Sequence, residues 1–240
     1  MKVYAHRGFS GHYPENTMLA FQKAAELGCY GIELDVHLTK DDKLVIIHDE
    51  KVNRTTDGRG WVKDLSWNQL QKLNAGTAFK LEAKIPSLEE YFDWVKDTDL
   101  VTNIEIKTDR YYYPDIEEKT LALVRDFGLS DRVLFSSFNH SSLYDLRRLA
   151  PDIPCGALVT YQAVGNVGYF CHKFDLAYYH PDFRLLDEVE VASCKAYGIK
   201  INAWTVNEPE DLARCLALGI DGVITNFPDR ALAVAQAGQE

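Results

Sequence analysis

The chain has 240 residues, 46% apolar and 26% charged, with 15 Gly and 8 Pro; this is the make-up of a soluble globular protein with a sizeable core, and it excludes collagen-like, disordered and disulfide-scaffold classes. Its 36 acidic and 26 basic residues leave a formal charge of −10, so no broad basic surface is available for a nucleic-acid backbone or an anionic bilayer. The five cysteines are scattered, the nearest pair (Cys155 and Cys171) lying 16 residues apart, which excludes a CxxC pair or zinc knuckle and predicts reduced, buried thiols.

Strand-like runs occur at 2–6 (KVYAH), 31–36 (GIELDV), 101–107 (VTNIEIK), 132–136 (RVLFS), 154–159 (PCGALV), 175–180 (DLAYYH), 199–206 (IKINAWTV) and 221–225 (DGVIT). Amphipathic stretches at 16–27, 87–97, 114–127, 140–149, 186–197 and 208–218 separate them and predict helices. Gly28, Gly128, Gly198 and Gly219 each follow such a stretch, where a left-handed C-cap costs a glycine little. Eight βα units in one chain of this length predict a single domain over residues 1–240 folded as a closed (β/α)₈ TIM barrel, which typically takes about 250 residues; a doubly wound open sheet is the alternative. Residues 43–48 (KLVIIH) read as an extra strand after the second, and 49–86 as a polar, turn-rich insertion with too few apolar residues for a core of its own. Such an insertion on the loop side is a candidate cap. No stretch approaches the roughly 18–20 apolar residues of a membrane span, and the start MKVYAHRG lacks a signal-peptide core. These features predict a cytoplasmic protein that begins at Met1 and has no stable membrane insertion.

Catalytic groups of a barrel project from the C-terminal ends of its strands. The first strand ends in His6, Arg7 and Gly8; the second carries Glu33 and Asp35 on one face; the extra strand ends in His48 and Asp49; the third carries Asn103, Glu105 and Lys107 on one face. Glu33, Asp35 and Glu105 fit two readings. They are ordinary barrel-layer charges neutralised by Arg and Lys, or they are oxygen ligands for Mg²⁺ or Ca²⁺ with positions left for water and a phosphate oxygen. His6 and His48 are structural histidines when taken singly and an acid/base pair when taken together. Arg7 and Lys107 either cap and pair locally or hold a phosphoryl oxygen. A lyase or aldolase reading of Lys107 is disfavoured, because a lysine beside three carboxylates keeps its proton.

The strings HRG at 6–8, PENT at 14–17, GIELDVHLTKDDKLVIIHD at 31–49, NIEIK at 103–107 and DGVITNFPD at 221–229 closely resemble the glycerophosphodiester phosphodiesterase family over essentially the whole chain. The resemblance implies a TIM barrel with a small insertion after the second unit. It implies one divalent cation (Mg²⁺ or Ca²⁺, with Mn²⁺ also compatible) held by Glu33, Asp35 and Glu105, and acid/base catalysis by His6 and His48. Phosphate contacts from Arg7 and Lys107 and an apolar lining from Phe138 and Trp204 are implied as well, with core packing the alternative for Trp204, and Glu15 reads as orienting Arg7 or a loop. The implied reaction is hydrolysis of small glycerophosphodiesters, such as glycerophosphocholine and glycerophosphoethanolamine, to glycerol 3-phosphate and an alcohol. Tyr111, Tyr112 and Tyr113 fit either a cation–π surface for a choline head group or plain packing.

Overall fold

The computed structural model describes residues 1–160 and 165–238. Its strands are β1 (Lys2–His6), β2 (Gly31–Leu38), β3 (Leu44–Ile46), β4 (Val101–Ile106), β5 (Val133–Ser137), β6 (Cys155–Val159), β7 (Tyr178–Pro181), β8 (Lys200–Ala203) and β9 (Gly222–Thr225). All except β3 pair in parallel with their neighbours, and β1 pairs with both β9 and β2, which closes an eight-stranded barrel and excludes the open sheet. Around it lie α1 (Met18–Glu26), α2 (Trp67–Leu70), α3 (Leu88–Val95), α4 (Ile116–Asp126), α5 (His140–Leu149), α6 (Val167–Lys173), α7 (Glu188–Ala196), α8 (Pro209–Ala217) and α9 (Pro228–Ala237).

Local chemistry sets the helix ends. The Thr17 hydroxyl accepts from the Ala20 N–H at the start of α1, and Ser87 and Glu90 form a reciprocal capping box at α3. Gly28, Gly128, Gly198 and Gly219 have φ between 66° and 77° just past α1, α4, α7 and α8, as their spacing predicts. Helices α2, α6 and α9 are not among the predicted stretches. The first two have only four and seven residues, too few to establish a period; the third buries Ala231 and Ala235, which contrast little with their polar neighbours.

Alternation along the strands separates two environments. Outward residues such as Val3, Ala5, Ile32, Leu34, Val36, Ile104, Ile106 and Phe135 pack in the main core between barrel and helices. Tyr4, Leu134 and Ile224 form a smaller apolar cluster of alternate residues on β1, β5 and β9. The interior gains room from glycines: a Cβ at Gly31 would lie 2.8 Å from the Tyr4 ring, and one at Gly156 2.8 Å from the His180 ring. The described residues contain no helix long and apolar enough to cross a membrane. All five cysteines are free and buried.

The extra strand has a specific place. β2 pairs with β1 through Gly31–Glu33, then continues past the end of β1 and pairs antiparallel with β3 through Val36, His37 and Leu38. The antiparallel return carries the chain back toward the barrel, with the Ile47 N–H bonded to the Asp35 carbonyl at 3.1 Å, and it delivers His48 to the mouth. The expectation that the following segment lacks a core of its own is corrected: Val45, Ile47, Val52, Val62, Leu70, Ala75 and Ile85 form a separate buried cluster. Its apolar residues are spread over some 40 positions rather than gathered in a run, and turns bring them together.

His180 is fully buried, with Nε2 3.2 Å from Asn202 Nδ2 and Nδ1 unpartnered. Burial pulls its pKa down to about 3. The ring is therefore neutral in the fold but titrates near 6.5 in the unfolded chain, so below pH 6.5 the unfolded chain binds more protons and stability falls toward pH 3. His180→Gln removes this contribution, on the order of 1.4 kcal/mol per pH unit in that window. Chemical denaturation at pH 7, 5.5 and 4.5 should show the variant losing less stability on acidification than the parent; equal losses would contradict the assignment.

Candidate active site

The chain leaves β1 through two left-handed residues, Arg7 (φ 56°) and Gly8 (φ 79°). Only glycine fits the second position, because a Cβ there would lie 2.6 Å from the Ala20 backbone. The turn aims the Arg7 N–H at Glu33, whose carbonyl and Oε2 accept it at 2.8 and 3.0 Å. Asn16, also left-handed (φ 55°), donates its N–H to the Arg7 carbonyl at 2.9 Å and its Nδ2 to Asp35 Oδ2 at 2.8 Å. The HRG and PENT strings thus fold into one support for two acidic residues.

Glu33, Asp35 and Glu105 come together with one oxygen from each within 4.8 Å of the others; among the described residues this is the one compact cluster of three His, Cys, Asp or Glu side chains suited to a metal. They are 3%, 0% and 6% exposed. Two cations face them: Lys107 Nζ donates to Glu105 Oε1 at 2.7 Å and lies 3.9 Å from Asp35, and Arg7 Nε lies 3.5 Å from Asp35 without forming a hydrogen bond. Burial and the charges of Asp35 and Glu105 push the Glu33 carboxyl well above the usual range, and burial also raises Glu105. For Asp35 burial acts upward, but His48, Arg7, Lys107 and the Asn16 hydrogen bond outweigh it and hold the group low. Asp35 Oδ1 is buried and accepts no hydrogen bond. Three hard oxygen donors, one of them unsatisfied and two driven toward protonation, fit a divalent cation of the Mg²⁺ or Ca²⁺ type.

The two histidines face the same pocket with their Nε2 atoms. His6 Nδ1–H donates to Asn226 Oδ1 at 2.6 Å, and His48 Nδ1–H donates to Asp49 Oδ1 at 2.7 Å. Lys107 Nζ lies 3.4 Å from His48 Nε2. His6 Nε2 lies 3.9 Å from Glu33 Oε2, but this is no ion pair at neutral pH, because burial and the nearby Arg7 charge pull the imidazole pKa down to about 3. His37 supports His48 from below: its Nε2 meets the His48 carbonyl at 3.0 Å and its Nδ1 meets the Tyr113 hydroxyl at 3.0 Å.

A pocket of about 120 Å³ has His6, Arg7, Glu33, His48 and Glu105 around it, Phe138, Leu158, Trp204 and Ile224 as an apolar wall, and Asn103 and Ser136 as polar lining. Phe138 and Trp204 meet edge to face with centroids 5.4 Å apart, and Trp204 Nε1 donates to the His180 carbonyl at 2.7 Å. Both amide atoms of Asn103 and the Ser136 hydroxyl are buried without a partner.

Every site residue named from the sequence therefore lies at or beside one pocket: the three carboxylates clustered, both histidines and Arg7 lining it, Lys107 between Glu105 and His48 with its Nζ 6.0 Å from the Phe138 ring, and Phe138 and Trp204 in the wall. The tyrosine run does not act as one surface. Tyr113 is buried on His37, Tyr112 is 66% exposed, and Tyr111 meets Tyr113 edge to face with Lys63 5.0 Å from its ring. Roles for Asp49, Asn226, Asn103 and Ser136 are not legible in the sequence, although Asp49 and Asn226 fall inside recognisable strings.

Residues 6–230 match the model of the glycerophosphoryl diester phosphodiesterase family. The chain is 42% identical to a glycerophosphodiester phosphodiesterase of Caldanaerobacter subterraneus subsp. tengcongensis, covering 98% of each chain. It is 41% identical to one of Bacillus altitudinis, again over 98% of each. Its fold superimposes on an Oleispira antarctica phosphodiesterase solved in complex with the product sn-glycerol-3-phosphate, with a TM-score of 0.87 and 29% identity over 98% of this chain and 97% of that one.

Saturating Mg²⁺, Ca²⁺ or Mn²⁺ should raise the thermal midpoint if the acidic cluster holds a cation. At 100-fold excess over Kd the gain is about 2.7 kcal/mol, roughly 5–10 °C for a chain of this size. Asp35→Asn and Glu105→Gln should abolish the rise, and an undiminished rise in both would remove the cluster from the binding site.

Proposed function

The chain belongs to the glycerophosphoryl diester phosphodiesterase family, and on that premise we propose that it hydrolyses small glycerol-based phosphodiesters, such as glycerophosphocholine and glycerophosphoethanolamine, to glycerol 3-phosphate and a free alcohol. The observation that carries the reading is the convergence of two Nε2 atoms, two cationic side chains and three clustered carboxylates around one pocket.

Glu33, Asp35 and Glu105 would hold the divalent cation, Mg²⁺, Ca²⁺ or Mn²⁺, which when bound polarises a non-bridging phosphate oxygen. Arg7 and Lys107 bind the remaining phosphoryl oxygens and stabilise the charge that gathers on them as the bond to the leaving alcohol breaks. His6 is the base in the first step: its imidazole is neutral and its Nε2 lone pair faces the pocket, so it takes the proton of the attacking hydroxyl, either of water, which gives glycerol 3-phosphate directly, or of the neighbouring glycerol hydroxyl, which gives a cyclic phosphate that water then opens to glycerol 3-phosphate. His48 is the acid. Asp49 fixes its ring through Nδ1, so that Nε2 is the nitrogen that passes a proton to the leaving oxygen. Phe138 and Trp204 shield the glycerol carbons from water, and the unpartnered Asn103 amide and Ser136 hydroxyl offer donors and an acceptor to a glycerol hydroxyl. Five unbridged cysteines support a cytoplasmic setting.

Release of glycerol 3-phosphate from glycerophosphocholine by EDTA-stripped protein should be absent and should return on adding back one of the three cations; no release with any of them would overturn the substrate assignment. His6→Ala and His48→Ala should each lower turnover by roughly 10²-fold or more. The two roles separate with a p-nitrophenyl leaving group, which needs no acid: on such a diester His48→Ala should recover most of its loss, whereas His6→Ala should not. The reverse pattern would exchange the assignments.

A further inference from the structure

We propose that Arg54, in the segment that follows β3, is a positioning residue that couples the phosphate-binding arm of the site to the His48 arm. Its guanidinium lies between two carboxylates from distant parts of the chain. Nε and Nη2 donate to Asp49 Oδ2 and Oδ1, both at 2.8 Å; Nη1 and Nη2 donate to Glu15 Oε2 and Oε1 at 2.8 and 2.7 Å. Each carboxylate in turn holds one member of the site: Glu15 Oε1 accepts from Arg7 Nη1 at 2.9 Å, and Asp49 Oδ1 accepts from His48 Nδ1 at 2.7 Å. The result is a continuous chain Arg7–Glu15–Arg54–Asp49–His48.

The chemistry of the link requires arginine. Four of the five N–H groups of a planar guanidinium are used, two toward each carboxylate, which an ammonium on a single carbon cannot reproduce. Without the guanidinium, Glu15 and Asp49 would face one another as like charges, and each would be freed to turn away from its partner. Burial acts upward on both carboxyls, yet hydrogen bonds from Arg54, together with Arg7 for Glu15 and His48 for Asp49, hold both below the ordinary range. Arg54 reaches neither the acidic cluster nor the apolar wall, so its effect passes through the two residues it orients. Its side chain is 48% exposed, which leaves a path for a small cation from solvent.

This inference rests on the reading of Arg7 as a phosphate contact and His48 as a proton carrier. The test compares cation-loaded wild type, Arg54→Ala and Arg54→Lys in release of glycerol 3-phosphate from glycerophosphocholine. Arg54→Ala should keep the fold by circular dichroism while raising KM and lowering kcat, the product of the two changes being roughly 10- to 100-fold. Lysine should not restore either constant, and millimolar guanidinium ion, far below denaturing levels, should restore both in Arg54→Ala but not in Arg7→Ala. Added to Asp49→Asn, Arg54→Ala should cost no further kcat; added to Glu15→Gln, no further KM. Unchanged constants in Arg54→Ala, full restoration by lysine, or fully additive losses would each overturn the coupling. A readout without turnover separates this from the substrate assignment: the ¹⁵N-imidazole spectrum of His48 should change in Arg54→Ala. Inactive wild type with that change would overturn the substrate and retain the coupling, whereas an unchanged His48 spectrum would overturn the coupling.

Discussion

Three carboxylates buried at the mouth of a barrel, with only two cationic side chains against them, are the constraint on which the rest of this structure turns. Like charges this close cannot all ionise in a dry site, so Glu33 and Glu105 are driven toward their neutral forms while Asp35 keeps its charge. Desolvating such a group costs several kcal/mol per ion unless it is paired. A divalent cation removes the conflict, and the residues around the cluster are arranged as though that conflict were to be resolved by a ligand rather than by burial. Asn16 ties down one oxygen of Asp35 and leaves the other without a hydrogen bond.

The fold supplies this arrangement with few parts. A left-handed turn after β1, possible only because Gly8 sits against the Ala20 backbone, points Arg7 into the site and its N–H back at Glu33. The projection of β2 beyond β1 creates an edge for β3, and the antiparallel return brings His48 to the pocket that His6 lines. A barrel of plain βα units would have no such return. The insertion reaches Glu15 and Asp49 beside the site through Arg54 and is held by its own small apolar cluster.

Much of this was legible in the sequence because the barrel reuses one signal. Period-two alternation on the strands marked the inward face, and acids, histidines and a lysine at the C-terminal ends of those strands marked the mouth. Glycine punctuation after four helices supported the unit count. The features that the sequence does not reveal are hidden for physical reasons. The partner of His6, Asn226, lies 220 residues away and is brought near only when β9 closes against β1. Arg54 sits in a polar, turn-rich segment where nothing in the local pattern distinguishes it from a solvated arginine. Asn103 and Ser136 read as ordinary strand residues until closure leaves their polar atoms unpaired. Short α6 and alanine-rich α9 lacked the apolar contrast from which helices are recognised.

The most direct test of the central claim is crystallographic: crystals soaked in Mn²⁺ and measured at a wavelength where manganese scatters anomalously. The account predicts one anomalous peak among the carboxylates of Glu33, Asp35 and Glu105, with oxygen ligands at about 2.0–2.6 Å as hard divalent cations take. No peak there, with the three carboxylates unmoved at millimolar Mn²⁺, would mean that the cluster is neutralised by protons and by Arg7 and Lys107 alone, and would contradict it.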